Sequence, residues 1–311
     1  MKKFKIIAVS LVLFLILLEV FVFNKEPIKT VSKPMISVSS FSLYDITKSI
    51  AGDSVKVMNI LPFGTDPHSF ELTPRIMANI EKSQIIFYSG AGLEPWIDKI
   101  TFSSNTIDMS QYVHLRQIGS EEFEFHKHHD DQCAHNKVDP HYWLDFSNMK
   151  ALAKVITQEL IKIKPDYKST YEKNKIKYIN MLNRLDKSYT KYLSNCRINT
   201  VIINHNSLGY LANTYGFNSE SLSGLSPESD PSPSDIKRIL KEIQRDGVST
   251  IFYENFVNSK VMKSISKDSN IVAEVLSPLG NITADEAEAN ATYEELMYEN
   301  LEKLSKAMLC N

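Results

Sequence analysis

Asp166-Tyr-Lys-Ser-Thr-Tyr171-Glu-Lys-Asn-Lys-Ile176-Lys-Tyr-Ile179-Asn-Met-Leu182-Asn-Arg-Leu185-Asp-Lys-Ser-Tyr189-Thr-Lys-Tyr-Leu193 is the stretch that divides the chain. It contains no Gly or Pro, and Tyr171, Ile176, Ile179, Leu182, Leu185, Tyr189 and Leu193 supply its apolar positions. As one helix it runs roughly 40 Å at 1.5 Å per residue. Pro165 separates it from an amphipathic segment, Asn148–Ile163, with Leu152, Val155, Ile156, Leu160 and Ile163 on one stripe. Its length and mid-chain position read as a helix leaving one lobe and entering another, rather than as an ordinary surface helix.

Working outward, both flanks alternate strand and helix. Before it come strands at Met35–Ser40, Val55–Leu61 and Ile85–Tyr88. Helices are expected at Ser42–Ala51, Pro74–Glu81 and Glu94–Ile100. After it, strands are expected at Thr200–Ile203, Thr250–Tyr253 and Ile271–Leu276. Helices follow at Ser207–Tyr215, Ser232–Arg245 (with a capping pattern at Ser232), Ser259–Ser266 and Thr292–Met308. Strand–helix alternation is the parallel α/β grammar. The fold class is therefore α/β, with two parallel-sheet lobes joined by one long helix. Residues 35–165 form the first lobe, 166–193 the linking helix and 194–311 the second lobe.

The chain has 311 residues, 43% of them hydrophobic, which suffices for two such lobes. Its net charge of −2 gives no electrostatic case for nucleic acid. Lys2, Lys3 and Lys5 precede an apolar run from Ile6 to Phe23, so residues 1–34 read as a signal peptide or N-terminal anchor plus linker. The chain is expected to be exported, to the periplasm or the outer face of the cytoplasmic membrane; cleavage and anchoring both stay open. Three cysteines fit an oxidising compartment. Cys196–Cys310 is the expected pair, and Cys133 lies among histidines.

Five of the eight histidines fall between Phe125 and Asp145. His126, His128, His129 and His135 lie in a polar run without periodicity, read as a His-rich loop over 121–137. His141 follows Asp139-Pro140, a stiff turn able to aim a side chain. His68 likewise follows Asp66-Pro67, in a loop after a strand, and His205 follows the strand Val201–Ile203. Loops at the carboxyl ends of parallel strands line the ligand crevice. Three imidazoles on such loops, from both halves, fit a metal site in the cleft between lobes. Neutral imidazole is a good zinc ligand, and three of them plus one further position complete a tetrahedron. Asp66, Asp139, Asp145, Glu71 and Asn206 are candidates to accept the other imidazole N–H, or equally caps and turns. His114 has no evident partner and reads as structural.

These residues resemble those of the zinc- or manganese-binding substrate-binding proteins of ABC importers. The likeness rests on Leu61-Pro62-Phe63-Gly64-Thr65-Asp66-Pro67-His68-Ser69-Phe70-Glu71, Gly92-Leu93-Glu94-Pro95-Trp96 and Asp139-Pro140-His141-Tyr142-Trp143-Leu144-Asp145. It continues through His205 with Gly209-Tyr210-Leu211, Ser226-Pro227-Glu228 to Pro231-Ser232-Pro233, Ile251-Phe252-Tyr253-Glu254 and Leu276-Ser277-Pro278-Leu279-Gly280. The resemblance implies that His68, His141 and His205 hold the metal between two lobes, and that an ABC permease in the membrane receives it. The imidazole at position 205, where manganese-binding relatives tend to carry a carboxylate, favours zinc. The His-rich loop is likewise a feature of zinc-binding members, here as auxiliary, weaker metal sites.

One position departs from the pattern: Ser277 stands where many relatives have an aspartate ligand. A serine hydroxyl is a poor zinc ligand, so the fourth position falls to water or to a carboxylate from elsewhere. Three readings compete with zinc capture. They are a manganese or iron receptor of the same family, a surface adhesin that uses the metal structurally, and a zinc hydrolase. The last lacks a His-Glu-x-x-His helix and an obvious general base, and no enzyme activity is expected.

Overall fold

Short strands pair here into two sheets whose central strands are covered on both faces. Met35–Val38 (β1) and Ile85–Tyr88 (β3) are the buried central strands of the first sheet. Lys56–Asn59 (β2) and Asn105–Asp108 (β4) flank them, giving the all-parallel order β2-β1-β3-β4. This computed structural model describes residues 33–118, 138–225, 231–255 and 260–311. The expected N-terminal signal or anchor, the His-rich loop with His126, His128, His129 and His135, and Cys133 lie outside those residues. Among the described residues no helix is long and apolar enough to cross a membrane.

The second sheet repeats the order as β6-β5-β7-β8, again all parallel. Its strands are Thr200–His205 (β5), Asn218–Ser223 (β6), Thr250–Tyr253 (β7) and Val272–Val275 (β8). The helices of the first half are Phe41–Ala51 (α1), Pro74–Ile80 (α2) and Phe146–Ile163 (α3). Lys168–Tyr192 (α4) is the long helix, 25 residues after a short 3-10 turn at Pro165–Tyr167. Then come Gly209–Tyr215 (α5), Pro233–Asp246 (α6), Lys260–Ser269 (α7), Ala284–Glu288 (α8) and Tyr293–Ala307 (α9). Cys196 and Cys310 are joined by a disulfide.

Some elements differ from expectation, each for a local reason. No helix spans Glu94–Ile100; only a 3-10 turn at Ile97–Lys99 forms. Pro95 disfavours the helical conformation at Glu94. The buried Glu94 carboxylate instead accepts the backbone N–H groups of Ser89 (2.8 Å) and Gly90 (2.9 Å) and the Ser39 hydroxyl. On α4, Tyr171, Tyr178, Met181, Leu182, Leu185 and Tyr189 face inward while Ile176 is 56% exposed. Five residues beyond Tyr171, Ile176 sits about 140° around the helix from it at 3.6 residues per turn.

One hydrophobic cluster runs through both halves. It includes Ile36 and Leu43 of the first, Leu182 and Leu185 of α4, Val201 and Phe252 of the second, and Leu301 and Leu304 of α9. Helix α9 packs against α4 and α1. This shared apolar core makes the two sheets one mechanical unit rather than two loosely tethered bodies.

Asp45 on α1 lies in that seam. Its carboxylate accepts the Tyr178 hydroxyl of α4 (3.0 Å) and the Tyr293 N–H at the start of α9 (3.2 Å). Burial pushes the Asp45 carboxyl up from 3.8 to about 6. A carboxyl raised on folding holds its proton more tightly in the folded state. It therefore costs the fold nothing below about pH 4, and progressively more as pH rises through 6. Two pH units correspond to roughly 3 kcal/mol. Asp45→Asn is therefore expected to stabilise the chain by roughly 1–3 kcal/mol at pH 7.5 and far less at pH 4, read by urea unfolding. Equal effects at both pH values would contradict this origin.

Candidate metal centre

Each of the three histidines is positioned by a different device. His205 is the last residue of β5, and its backbone is fixed by the sheet. His141 follows the Asp139-Pro140 turn and opens a short 3-10 turn at Tyr142–Leu144, ahead of α3. The α3 helix starts there because the Asp145 carboxylate caps it, accepting the N–H groups of Ser147 (2.7 Å) and Asn148 (3.3 Å). His68 sits in the loop between β2 and α2, where its own N–H donates to Asp66 Oδ1 at 3.0 Å.

The three rings converge. His141 Nε2 lies 3.3 Å from His68 Nε2 and 3.3 Å from His205 Nε2. Ligand atoms of the three lie within 4.8 Å of one another. Two nitrogens bound to one zinc at about 2.05 Å and the tetrahedral angle stand about 3.3 Å apart.

The far side of two rings fixes which nitrogen faces the centre. His141 Nδ1 lies 2.8 Å from Asp139 Oδ1, and His205 Nδ1 lies 2.8 Å from Glu254 Oε1. All four groups are buried. A carboxylate accepts the Nδ1–H, so each Nε2 presents its lone pair to the centre. Facing lone pairs repel, and a cation between them relieves that repulsion.

Each carboxylate is itself held. The other Asp139 oxygen, Oδ2, meets Arg116 Nη1 at 3.3 Å. The Tyr210 hydroxyl, from the second half, accepts the Arg116 N–H (2.8 Å) and donates to the Asp139 carbonyl (2.9 Å). Gly209 permits this approach: a Cβ there would sit 2.5 Å from Arg116 Nη1 and 2.6 Å from Asp139 Oδ2. Glu254 accepts the Ser207 hydroxyl (3.2 Å), and its N–H donates to Asn204 Oδ1 (3.1 Å).

Burial and the neighbouring His141 and His205 hold His68 well below the ordinary histidine range. Burial disfavours the charged form of His205, but the carboxylates of Glu254, Asp66 and Asp139, Glu254 foremost, outweigh that and raise it above the ordinary 6.5.

Of the residues proposed to orient imidazoles, Asp139 does so and Asp66 accepts the His68 N–H. Asp145 caps α3, Glu71 is exposed, and the Asn206 N–H donates to Gly224 O. Glu254 carries one signal in the sequence, its position: it directly follows β7, at a strand's carboxyl end. His114 is pinned through its backbone, its N–H donating to Asn148 Oδ1 at 2.8 Å and its carbonyl accepting Asn148 Nδ2 at 3.0 Å. Ser277 is likewise tied by its backbone, donating to Asn300 Oδ1 (3.1 Å) and accepting Asn300 Nδ2 (2.6 Å). Among the described residues, no Cys, His, Asp or Glu joins the three histidines as a fourth converging ligand.

Two parallel α/β sheets sharing one core, with three converging histidines between them, define a two-lobed α/β protein with a site able to hold a metal. The chain belongs to the ZnuA family, the periplasmic component A of the zinc-uptake complex, whose model matches residues 36–307. It is 30% identical over 274 residues to the high-affinity zinc uptake system protein ZnuA of Bacillus subtilis, covering 86% of each. It is 29% identical over 273 residues to the zinc-binding lipoprotein AdcA of Streptococcus pneumoniae, covering 86% of this chain. The chain spans about half the length of that relative, 54%. The Zn(II)-bound ZnuA-like domain of the same AdcA superposes with a TM-score of 0.73 at 26% identity, over 89% of this chain and 99% of that one. None of the three is named for an enzymatic activity.

Proposed function

We propose that this chain is an extracytoplasmic receptor that captures zinc between its lobes and delivers it to an ABC-type membrane permease. The observation that carries the reading is the convergence of three imidazoles from both halves, with His141 Nε2 at tetrahedral zinc spacing from both His68 Nε2 and His205 Nε2. His68, His141 and His205 are the proposed ligands, with water in the fourth position. Asp139 and Glu254 accept the Nδ1–H of His141 and His205 and so turn each Nε2 toward the centre. Family membership and zinc-named relatives support zinc as the cargo, and an all-imidazole set suits zinc better than hard manganese. Residues 35–165 and 194–311 are the proposed lobes, with 166–193 between them. His126, His128, His129 and His135 are proposed as auxiliary, weaker metal sites.

Calorimetric titration of the purified chain with zinc and manganese in competition tests this. The expected result is one tight zinc site plus weaker ones, with manganese unable to displace zinc. Deleting 125–135 is expected to remove only the weaker sites. A tight manganese site, or none for either ion, would overturn the reading.

Zinc binding should also depend on pH in a defined window. The metal requires a neutral His205, whose proton is held above 6.5. Affinity is therefore full only well above the raised His205 pKa and falls as pH drops through it, by up to about tenfold per pH unit for one competing proton. His68 stays neutral across the same range and adds no dependence there. Chelator competition between pH 8 and 5.5 reads this; a flat profile down to 6 would refute it.

A further inference from the structure

Two of the three histidines are fixed by regular structure or a stiff buried turn, whereas His68 lies mid-loop between β2 and α2. Side chains at both ends tie that loop to the first half. Leu61 and Phe70 are buried in a cluster with Ile60, Ile80, Ile86 and Trp96. Its tip, however, is tied to the second half. Asn281 Nδ2 donates to Pro62 O and to Thr65 O, both at 2.8 Å, and the Gly64 N–H donates to Ile282 O at 2.7 Å. Asn281 is fully buried, and its Oδ1 accepts the Ile282 N–H at 2.9 Å. That last bond fixes the amide orientation, so both N–H bonds of Nδ2 point at the two carbonyls.

The segment carrying Asn281 is held against the first half at two further points. Pro278 O accepts Trp143 Nε1–H at 2.7 Å, and Gly280 O accepts the Phe41 N–H at 2.9 Å. The backbone of Ser277, just ahead of this segment, is tied to Asn300. Resting on the receptor reading above, we infer that in this chain the 278–282 segment serves the metal through Asn281. Its side-chain amide is a positioning group that clamps the His68 loop across the cleft and thereby sets how long the metal is retained. The clamp is built from short hydrogen bonds to backbone carbonyls, with no charged partner. Its loss frees the loop tip while the lobe core stays in place.

The test uses the full chain and the zinc ion as probe. Zinc release into excess chelator is followed by stopped flow for wild type, Asn281→Ala, His68→Ala and the double variant. Hydrogen exchange of the 62–68 amides is followed without metal. We expect Asn281→Ala to speed release at least tenfold and to quicken exchange in 62–68. In the His68→Ala background it is expected to add no further acceleration, since Asn281 acts through His68. Asn281→Asp, of equal volume but with an oxygen facing the two carbonyls, carries the same comparison if the alanine variant does not fold. Unchanged release, or the same acceleration in both backgrounds, would overturn the clamp. Should wild type bind no zinc tightly, the receptor reading falls by itself. The exchange comparison then decides the clamp, and unaltered exchange at 62–68 overturns it.

Discussion

His205→Ala is expected to abolish nearly all of the stabilisation that zinc confers. A ligand binding only the folded state at about 1,000 times its dissociation constant adds roughly 4 kcal/mol. At roughly 2–4 °C per kcal/mol for a chain of this size, wild type should melt about 10 °C higher with zinc than without. Without His205 two ligand nitrogens remain, and that rise should shrink to a small fraction. The variant also leaves Glu254 buried without its Nδ1–H donor. That costs about 1–3 kcal/mol whether or not zinc is present. The decisive quantity is therefore the difference between scans with and without metal, not the melting temperature alone. The ligand assignment fails if His205→Ala keeps the zinc-induced rise while deletion of 125–135 loses it.

Trp143→Ala is expected to lower stability by about 3–5 kcal/mol even in the absence of metal. Its ring is 1% exposed, edge-on to Tyr142 (centroids 5.7 Å apart) and His141 (5.4 Å). Its Nε1–H donates to Pro278 O in the other half. Truncation therefore opens a cavity beside a proposed ligand and leaves a carbonyl unpaired. Trp143→Phe keeps most of the apolar body but loses the donor, and about 1–2 kcal/mol is expected. Urea unfolding at constant slope reads both. Because one hydrophobic cluster spans the two halves, the loss should appear in a single transition. A Trp143→Ala cost below about 1 kcal/mol would mean that the site wall carries little of the fold.

The centre is electrostatically uneven. Asp139 shares its charge between His141 and Arg116, whereas Glu254 faces His205 and a neutral serine hydroxyl. His205 accordingly holds a proton to higher pH than an ordinary histidine, while His68 gives its proton up well below that range. In the proposed mechanism, zinc displaces from His205 the proton that Glu254 helps it hold, so acidification weakens the second lobe's hold on the metal.

Local patterns carried much of this protein. Apolar runs such as Ile85–Tyr88 and Thr250–Tyr253 announce buried parallel strands at their observed bounds, because the central strands of each sheet are covered on both faces. The Gly- and Pro-free stretch 166–193 announces α4. The Asp-Pro-His pairs at 66–68 and 139–141, with His205 after its strand, mark the side chains that meet, because a stiff turn leaves its signature in adjacent residues. What depends on partners far along the chain was not legible. The edge strands Asn105–Asp108 and Asn218–Ser223 are polar and show no periodicity; only pairing with β3 and β5 makes them strands. Glu254 becomes the partner of His205, and Asn281 that of the His68 loop, across separations of 49 and more than 200 residues. Such contacts are selected by packing of the assembled lobes. Periodicity records only which side of its own element a residue occupies. Adjacent residues are enough to dictate the α/β grammar and to mark the three histidines that converge. What orients each histidine is set in the folded chain, because that requires side chains brought together by the shared core rather than by neighbouring positions.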